Sequence, residues 1–243
     1  VSKFDTAAIY KVRDSLEAGF GSARSLEDAA QRLCRGVYDA FSSTVVMARV
    51  YVVARHADLP PSVSDVADAL ATSKGLNRLS PETPVMTLTG TRGALPAWND
   101  RHTSAGHQAI PLASSAFVSQ IPMVAALLSE MGLGLGWIDQ RDLGFVEKHM
   151  GNLMGLFFVP DAASQLDSQG RKIIPAQDFV KQHGVRSVFG LGSSLGSGLF
   201  MALIVFTNTT LHKEDGERFT PLLSCLKRAA ASLVQQKKIF SGP

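Results

Sequence analysis

The residue types best suited to chemistry are gathered between positions 92 and 108, where Arg92, Trp98, Asn99, Asp100, Arg101, His102 and His107 stand among glycines and small residues. His102 and His107, with Asp100 close by, invite a metal site. Ligand histidines on a helix usually stand four apart, whereas these are five apart in a stretch with no helical period. A pocket-lining polar role and an ordinary exposed loop are the stronger alternatives. Long irregular loops within a domain are more often functional than decorative, which keeps the pocket role in view. His149, set between Lys148 and Met150 in a polar segment, reads as a surface residue rather than an axial haem ligand.

Other patterns weaken on inspection. The glycines at 190, 192, 196 and 198 suggest a phosphate loop, but a β-branched and aromatic run follows them instead of the helix N-terminus that would receive a pyrophosphate. They read as a hairpin turn. Gly192-Ser193-Ser194-Leu195-Gly196 has GxSxG spacing, but it reads as a hairpin turn followed by a strand instead of the strand-to-helix elbow that exposes a nucleophile, so Ser-His-Asp hydrolysis has no placed nucleophile. The acidic residues fall mostly on solvated helix faces rather than as a glycosidase pair. Cys34 and Cys225 lie in amphipathic segments without a CxxC partner, and read as small buried apolar residues.

The elements that must position these residues follow from periodicity. The pattern predicts helices over 4–20 and 25–41, the second opened by Ser25 with Asp28 at capping-box spacing. A Val-rich strand is expected over 44–55, ended by Pro60 and Pro61. A short helix capped by Ser62 and Asp65 and a strand over 85–91 come next. After the irregular loop come an extended piece at 109–113 and a helical region split by Pro122. Residues 139–152 read as a loop or short surface helix. Strands at 153–159, 185–191 and 199–207 enclose a short helix starting at Pro175, and a last helix begins near Lys213. A short turn between the final strands argues for an antiparallel sheet with helices on its faces.

Composition bounds the function. At 243 residues, 45% hydrophobic and 19% charged, the chain can bury a substantial core. Its 24 basic and 21 acidic residues form no run that would track a phosphate backbone, so direct nucleic-acid contact is not expected. The apolar run Leu199–Phe206 is far shorter than the roughly 20 residues of a membrane-spanning helix. The start, through Lys3, Asp5, Lys11 and Arg13, lacks a signal-peptide core, so a cytoplasmic location is expected. Val1 in place of an initiator Met reads as a processed or excised chain.

The stretch Phe179–Leu233 resembles the C-terminal half of a GAF domain. It has a short helix, a "GVRSVFGLG" strand, a tight turn, an apolar "GLFMALIVFTN" strand and a helix introduced by "LHKEDGERF". Arg186 with Ser187, and Glu214 with Asp215, match the Arg-Ser pair and acidic helix start that recur there. Residues 25–53 resemble that family's opening, while 92–152 are longer than its usual middle. The resemblance implies a six-stranded antiparallel sheet, small-molecule binding between sheet and overlying helices, and dimerisation through terminal helices; PAS-like sensors share this plan. It carries over no known chemistry. The Asn-Lys-Phe-Asp-Glu set of cyclic-nucleotide binders, the Cys-His of bilin binders and the cysteine cluster of free methionine sulfoxide reductases are all missing from the sequence.

These readings lead to one expectation: an α/β (α+β) domain over 1–243 with a central antiparallel sheet flanked by helices. Its parts are helices within 1–41, a sheet core over 44–208 with an insertion at 92–152, and a helix at 213–240. It is expected to be a small-molecule sensor, not an enzyme, forming a homodimer through its terminal helices. The pocket is expected to use Trp98, Arg101, His102, His107, Phe117, Phe158, Phe179 and Ser187. No catalytic or metal-binding residue is assigned and the cofactor is unknown. The alternatives are a constitutive dimerisation or protein-interaction module whose interior is filled by its own side chains, and an enzyme acting through His102 or His107.

Overall fold

Local capping starts the first two helices. In the computed structural model, which describes residues 4–104, 106–150 and 154–241, α1 runs Thr6–Phe20 and α2 Leu26–Phe41. The Asp5 carboxylate accepts the N–H groups of Ala7 and Ala8, and Ser25 Oγ accepts that of Asp28 at 3.0 Å. Glu27 and Asp28 in the first turn complement the α2 dipole. Leu26, Ala29, Ala30, Leu33, Cys34, Val37 and Phe41 form its buried face, at the spacing read from the sequence.

The Val-rich run becomes β1, Val45–Arg55, buried along all but its last residue. The remaining elements are α3 (Pro61–Ser73), β2 (Pro84–Gly93), β3 (Ala109–Pro111), α4 (Ser115–Val118), α5 (Pro122–Glu130), α6 (Gly136–Gln140) and α7 (Leu143–Met150). They are followed by β4 (Met154–Val159), α8 (Gln177–Gln182), β5 (Ser187–Gly196), β6 (Leu199–Thr207), α9 (Lys213–Glu217) and α10 (Thr220–Gln235). The strands form one antiparallel sheet in the order β3-β2-β1-β6-β5-β4. Among the described residues, no helix is long and apolar enough to cross a membrane.

The sheet is covered on both sides. Alternate residues of β1 divide between them: Ala48, Val50 and Val52 face α1, α2 and α10, while Met47, Tyr51 and Val53 face the layer built from α4–α8 and their loops. Helix α1 packs against both α2 and α10, and α10 crosses β5. Helix α3 covers the β3 edge, where Val63, Ala67 and Ala71 meet Val85 and Ala109. At the opposite edge the Glu130 carboxylate accepts the Phe158 N–H of β4 at 2.8 Å, occupying a donor that would otherwise be exposed.

Several boundaries differ from those read in the sequence. Strand β5 continues past Leu191 to Gly196, because β4 and β6 pair with it on both sides and this pairing outweighs the turn preference of Gly-Ser-Ser. The turn itself is only Ser197-Gly198, both at positive φ (53° and 73°), the type I′ geometry that suits the twist of a hairpin. Helix α3 begins at Pro61 in the first helical position, so Ser62 lies inside the helix and does not cap it. The last helix is two helices, with Pro221 in the first turn of the second. The end of α6 and the whole of α7 fall within 139–152, and Asp142 Oδ1 accepts the Phe145 N–H at 3.0 Å. Leu153, expected to open a strand, lies outside the described residues.

Candidate functional site

Between the sheet and the α4–α8 layer lies a cavity of about 340 Å³. Its floor is Met47, Arg49 and Tyr51 of β1, Met86 of β2, Ile110 of β3, and Ile204 and Phe206 of β6. These share one face because strand side chains alternate. Its roof is Met123, Val124 and Leu127 of α5, and its side is closed by Ile174, Pro175, Ala176 and Phe179 at the start of α8. The loop after β2 supplies Trp98 and His107. A wider groove of about 890 Å³ runs between α1 and α10, but it is an open surface feature edged by Glu17, Arg24, Arg228 and Lys238.

One wall is aromatic. Trp98 meets Phe179 edge to face at 5.6 Å, Phe179 meets Phe206 at 5.5 Å and 90°, and His183 sits 4.7 Å from the Trp98 ring. The Trp98 carbonyl accepts the Thr91 hydroxyl at 2.8 Å, and Asn99 Oδ1 accepts the Gly93 N–H at 3.0 Å, so β2 anchors the base of the loop.

The polar corner is built around Arg49, an arginine buried within an apolar strand. Its Nη2 donates to Ser104 Oγ at 2.9 Å and its Nη1 to the Tyr51 hydroxyl at 3.3 Å. The Tyr51 hydroxyl donates to the His107 carbonyl at 3.1 Å, and Gln108 Nε2 to the Ser104 carbonyl at 2.9 Å. The sheet thus holds the loop, and the loop in turn holds the guanidinium in one orientation.

His107 occupies the rim as an exposed residue. Desolvation where its side chain lines the cavity, then repulsion from Arg49 and Lys74, lowers its pKa below the ordinary 6.5. The folded protein therefore favours neutral His107. This stabilisation is present above pH 6.5 and is lost as pH falls from 6.5 through the lowered folded value. Urea unfolding followed from pH 7.5 to 5 is expected to show falling stability at the acidic end, with a flatter profile for His107→Gln; identical profiles would remove this histidine from the pH response.

The sequence-predicted site residues separate. Trp98, His107 and Phe179 line the cavity. Arg101 and His102 lie instead on a small crevice with Ser62, Val63 and Val66 of α3. There Arg101 Nη2 donates to Glu27 Oε2 at 2.6 Å, and His102 Nε2 is 3.4 Å from Glu27 Oε1. Phe117 packs into the core beneath α4. Phe158 packs on the opposite face of the sheet, because it falls on the other parity of β4 from Phe157 and Val159. Ser187 is fully buried, its Oγ donating to the Pro160 carbonyl at 2.8 Å and accepting the Leu211 N–H at 3.0 Å, a tie between chain segments.

Sequence reasoning passed over Arg49 and Tyr51. The available signal was a charge at the centre of "VVMARVYVV", on the same parity as Met47 and Tyr51, since a buried strand carries an arginine only where something receives it.

Glu27 itself forms a junction. Besides Arg101 it accepts the Ser241 N–H at 3.0 Å, and Ser25 Oγ lies 2.9 Å from Ser241 Oγ. The carbonyls of Lys238 and Ile239 accept the N–H groups of Leu26 and Glu27, both at 2.9 Å, satisfying donors that the helix cannot satisfy itself. The cavity loop, the start of α2 and the C-terminal segment thus meet at one buried carboxylate.

No protein-family model and no curated protein sequence matches the chain. Solved structures do. The free methionine-R-sulfoxide reductase of Neisseria meningitidis, determined with its substrate, aligns over 95% of this chain and 93% of its own at TM-score 0.51 and 11% identity. The phycocyanobilin-bound GAF domain of a cyanobacterial phytochrome aligns over 94% and 96% at TM-score 0.51 and 11% identity. A phycoerythrobilin-bound phytochrome GAF domain aligns over 94% and 97% at TM-score 0.50 and 12% identity. The fold of this chain is GAF-like, and at these identities the likeness concerns the fold alone.

Proposed function

We propose that this protein is a sensory domain that binds a small molecule between its sheet and the α5–α8 layer and relays occupancy to its termini, without turnover. The observation that carries the reading is the cavity: apolar on most sides, aromatic on one, and provided with a fixed guanidinium, which is the usual composition of a small-molecule site. A constitutive interaction module would fill this space with its own side chains.

The structural neighbours' ligands do not transfer. At about 340 Å³ the cavity lies at the small end of the roughly 300–1,000 Å³ common for such sites, well short of an open-chain tetrapyrrole. Cys34 and Cys225 belong to the core on the other side of the sheet. Burial raises both thiols, Cys225 to about 11, which keeps them protonated and poorly nucleophilic.

The relay in this proposal runs through Glu27. The loop that supplies Trp98 and His107 also supplies Arg101, and the carboxylate that receives Arg101 receives the C-terminal segment at Ser241. Movement of the loop on binding would alter the hold on that segment. Dimerisation through α1 and α10 belongs to the same reading, because α1 forms the outer layer over α2 and α10.

The test is the mass of the protein purified from its native host, measured under native and denaturing conditions. A retained mass that leaves on denaturation is expected. Identical masses, together with an unchanged melting temperature across a library of small metabolites, would replace sensing with the interaction-module reading.

A further inference from the structure

The cavity's chemistry narrows its ligand, an inference that rests on the cavity being the binding site. Arg49 carries its charge on a fork of five N–H donors in a plane, and the Tyr51 and Ser104 hydroxyls fix how that plane stands. The cavity lining among the described residues includes Arg49 and His107 and no aspartate or glutamate. An anion entering this corner meets one oriented guanidinium and the imidazole at the rim, where removal from water strengthens the attraction. A planar two-oxygen acceptor matches the guanidinium fork, which is why arginine is the common partner of carboxylates.

The rest of the volume excludes much else. Beyond the polar corner the ligand would touch Leu127, Ile204, Ile110 and the Phe179 and Phe206 rings, none of which can pair with a second polar group. A polyol or nucleotide would leave hydroxyls or phosphates unpaired there. The small volume limits the apolar part to about one ring or a short branched chain. Met47, Met86 and Met123 in the lining can adapt to either shape.

We infer that the cavity takes a small monocarboxylic acid as its anion, with the carboxylate on the Arg49 guanidinium and a compact apolar body between α5 and the Phe179–Phe206 wall. His107 acts at the rim as a second donor, and an anion beside it would draw its depressed pKa back upward, so binding takes up protons at mildly acidic pH.

The experiment uses Trp98 as the reporter in the full chain carrying Trp137→Phe, since the sequence holds two tryptophans. Benzoate, benzamide and benzylamine, and 3-methylbutanoate with its amide, are titrated while the fluorescence is followed. A carboxylate is expected to bind about tenfold or more tighter than its amide, with the amine weakest. In Arg49→Met the acid-to-amide ratio is expected to fall to about one while amide binding persists. The wild-type charge series stands on its own if that variant fails to fold. Equal binding of acid and amide, or tighter binding of the amine, overturns the carboxylate class and leaves the cavity reading in place. Silence from every probe also overturns the class, and the cavity reading falls with it if the metabolite library is silent too.

Discussion

Glu27→Ala is expected to cost the protein about 3–5 kcal/mol of folding stability, read from urea unfolding, because it strands a buried guanidinium. Glu27 and Arg101 have side chains only 8% and 7% exposed and are joined at 2.6 Å. The ion pair has already incurred the desolvation of both groups, so removing the carboxylate leaves Arg101 in a site with no compensating charge. The same substitution deletes the acceptor of the Ser241 N–H and an acidic residue from the first turn of α2. Two companions separate these effects. Glu27→Ala with Arg101→Ala is expected to recover part of the loss, since no charge is then stranded, and Glu27→Gln to lose less by keeping a hydrogen-bond acceptor. Hydrogen exchange adds the functional side: amides near 98–104 and 238–241 are expected to lose protection together in Glu27→Ala. A loss of stability under about 1 kcal/mol, within the range of an exposed pair, would show that this junction holds little. Independent exchange behaviour of the two segments would end its role as a relay.

The second large effect is expected from one methyl group. A Cβ added at Gly90 would lie 2.6 Å from the carbonyl carbon and oxygen of Ala30 and 2.8 Å from the Gln31 nitrogen, distances that folded proteins do not tolerate. These are backbone atoms of α2, so no rotamer change relieves the overlap and the helix must lift from β2. Overpacking commonly costs about 1–3 kcal/mol and occasionally more, and a backbone clash belongs at the upper end. Gly90 pairs with Val50 where the β1–β2 register shifts before Tyr51. Gly90→Ala is therefore expected to disturb the strand that presents Arg49 and Tyr51, with weaker carboxylate binding as well as a lower unfolding midpoint. Gly21→Ala serves as the control, because a Cβ there meets nothing within 4 Å, and it is expected to stay within about 0.5 kcal/mol of the parent. A Gly90→Ala protein as stable as that control would mean that α2 does not approach the sheet this closely.

Both predictions concern contacts that local sequence does not announce. The Ser25 cap, the apolar face of 25–41, the Val-rich strand and the hairpin before Leu199 were all legible, because each arises from interactions within a few residues or from the period of its own element. The GAF-like architecture was legible too, through the order of those elements. The site was legible only where a loop betrayed itself by composition: Trp98 and His107 line the cavity, while Arg101 and His102 from the same loop turn to Glu27, 74 residues from Arg101 in the chain. Nothing local could separate these neighbours, since the charge that claims Arg101 lies on another helix.

The strands show the same division. In a sheet covered on both faces, inward and outward residues are both apolar, so the alternation that marks a half-exposed strand vanishes and, apart from the lone charge of Arg49 in β1, the strands do not show which parity faces the cavity. Phe158 and Phe157 are identical side chains one residue apart that pack on opposite sides of the sheet. By itself the sequence determined which segments are helices and strands, where most of them begin, and that the last two strands form a hairpin, because hydrogen bonding and burial within an element are settled by its own residues. Tertiary structure alone decided that Arg49 stands at the polar end of a cavity and that Glu27 gathers the loop and the tail. Those depend on how far α5 and α8 stand off the sheet and on which distant groups meet when the layers close.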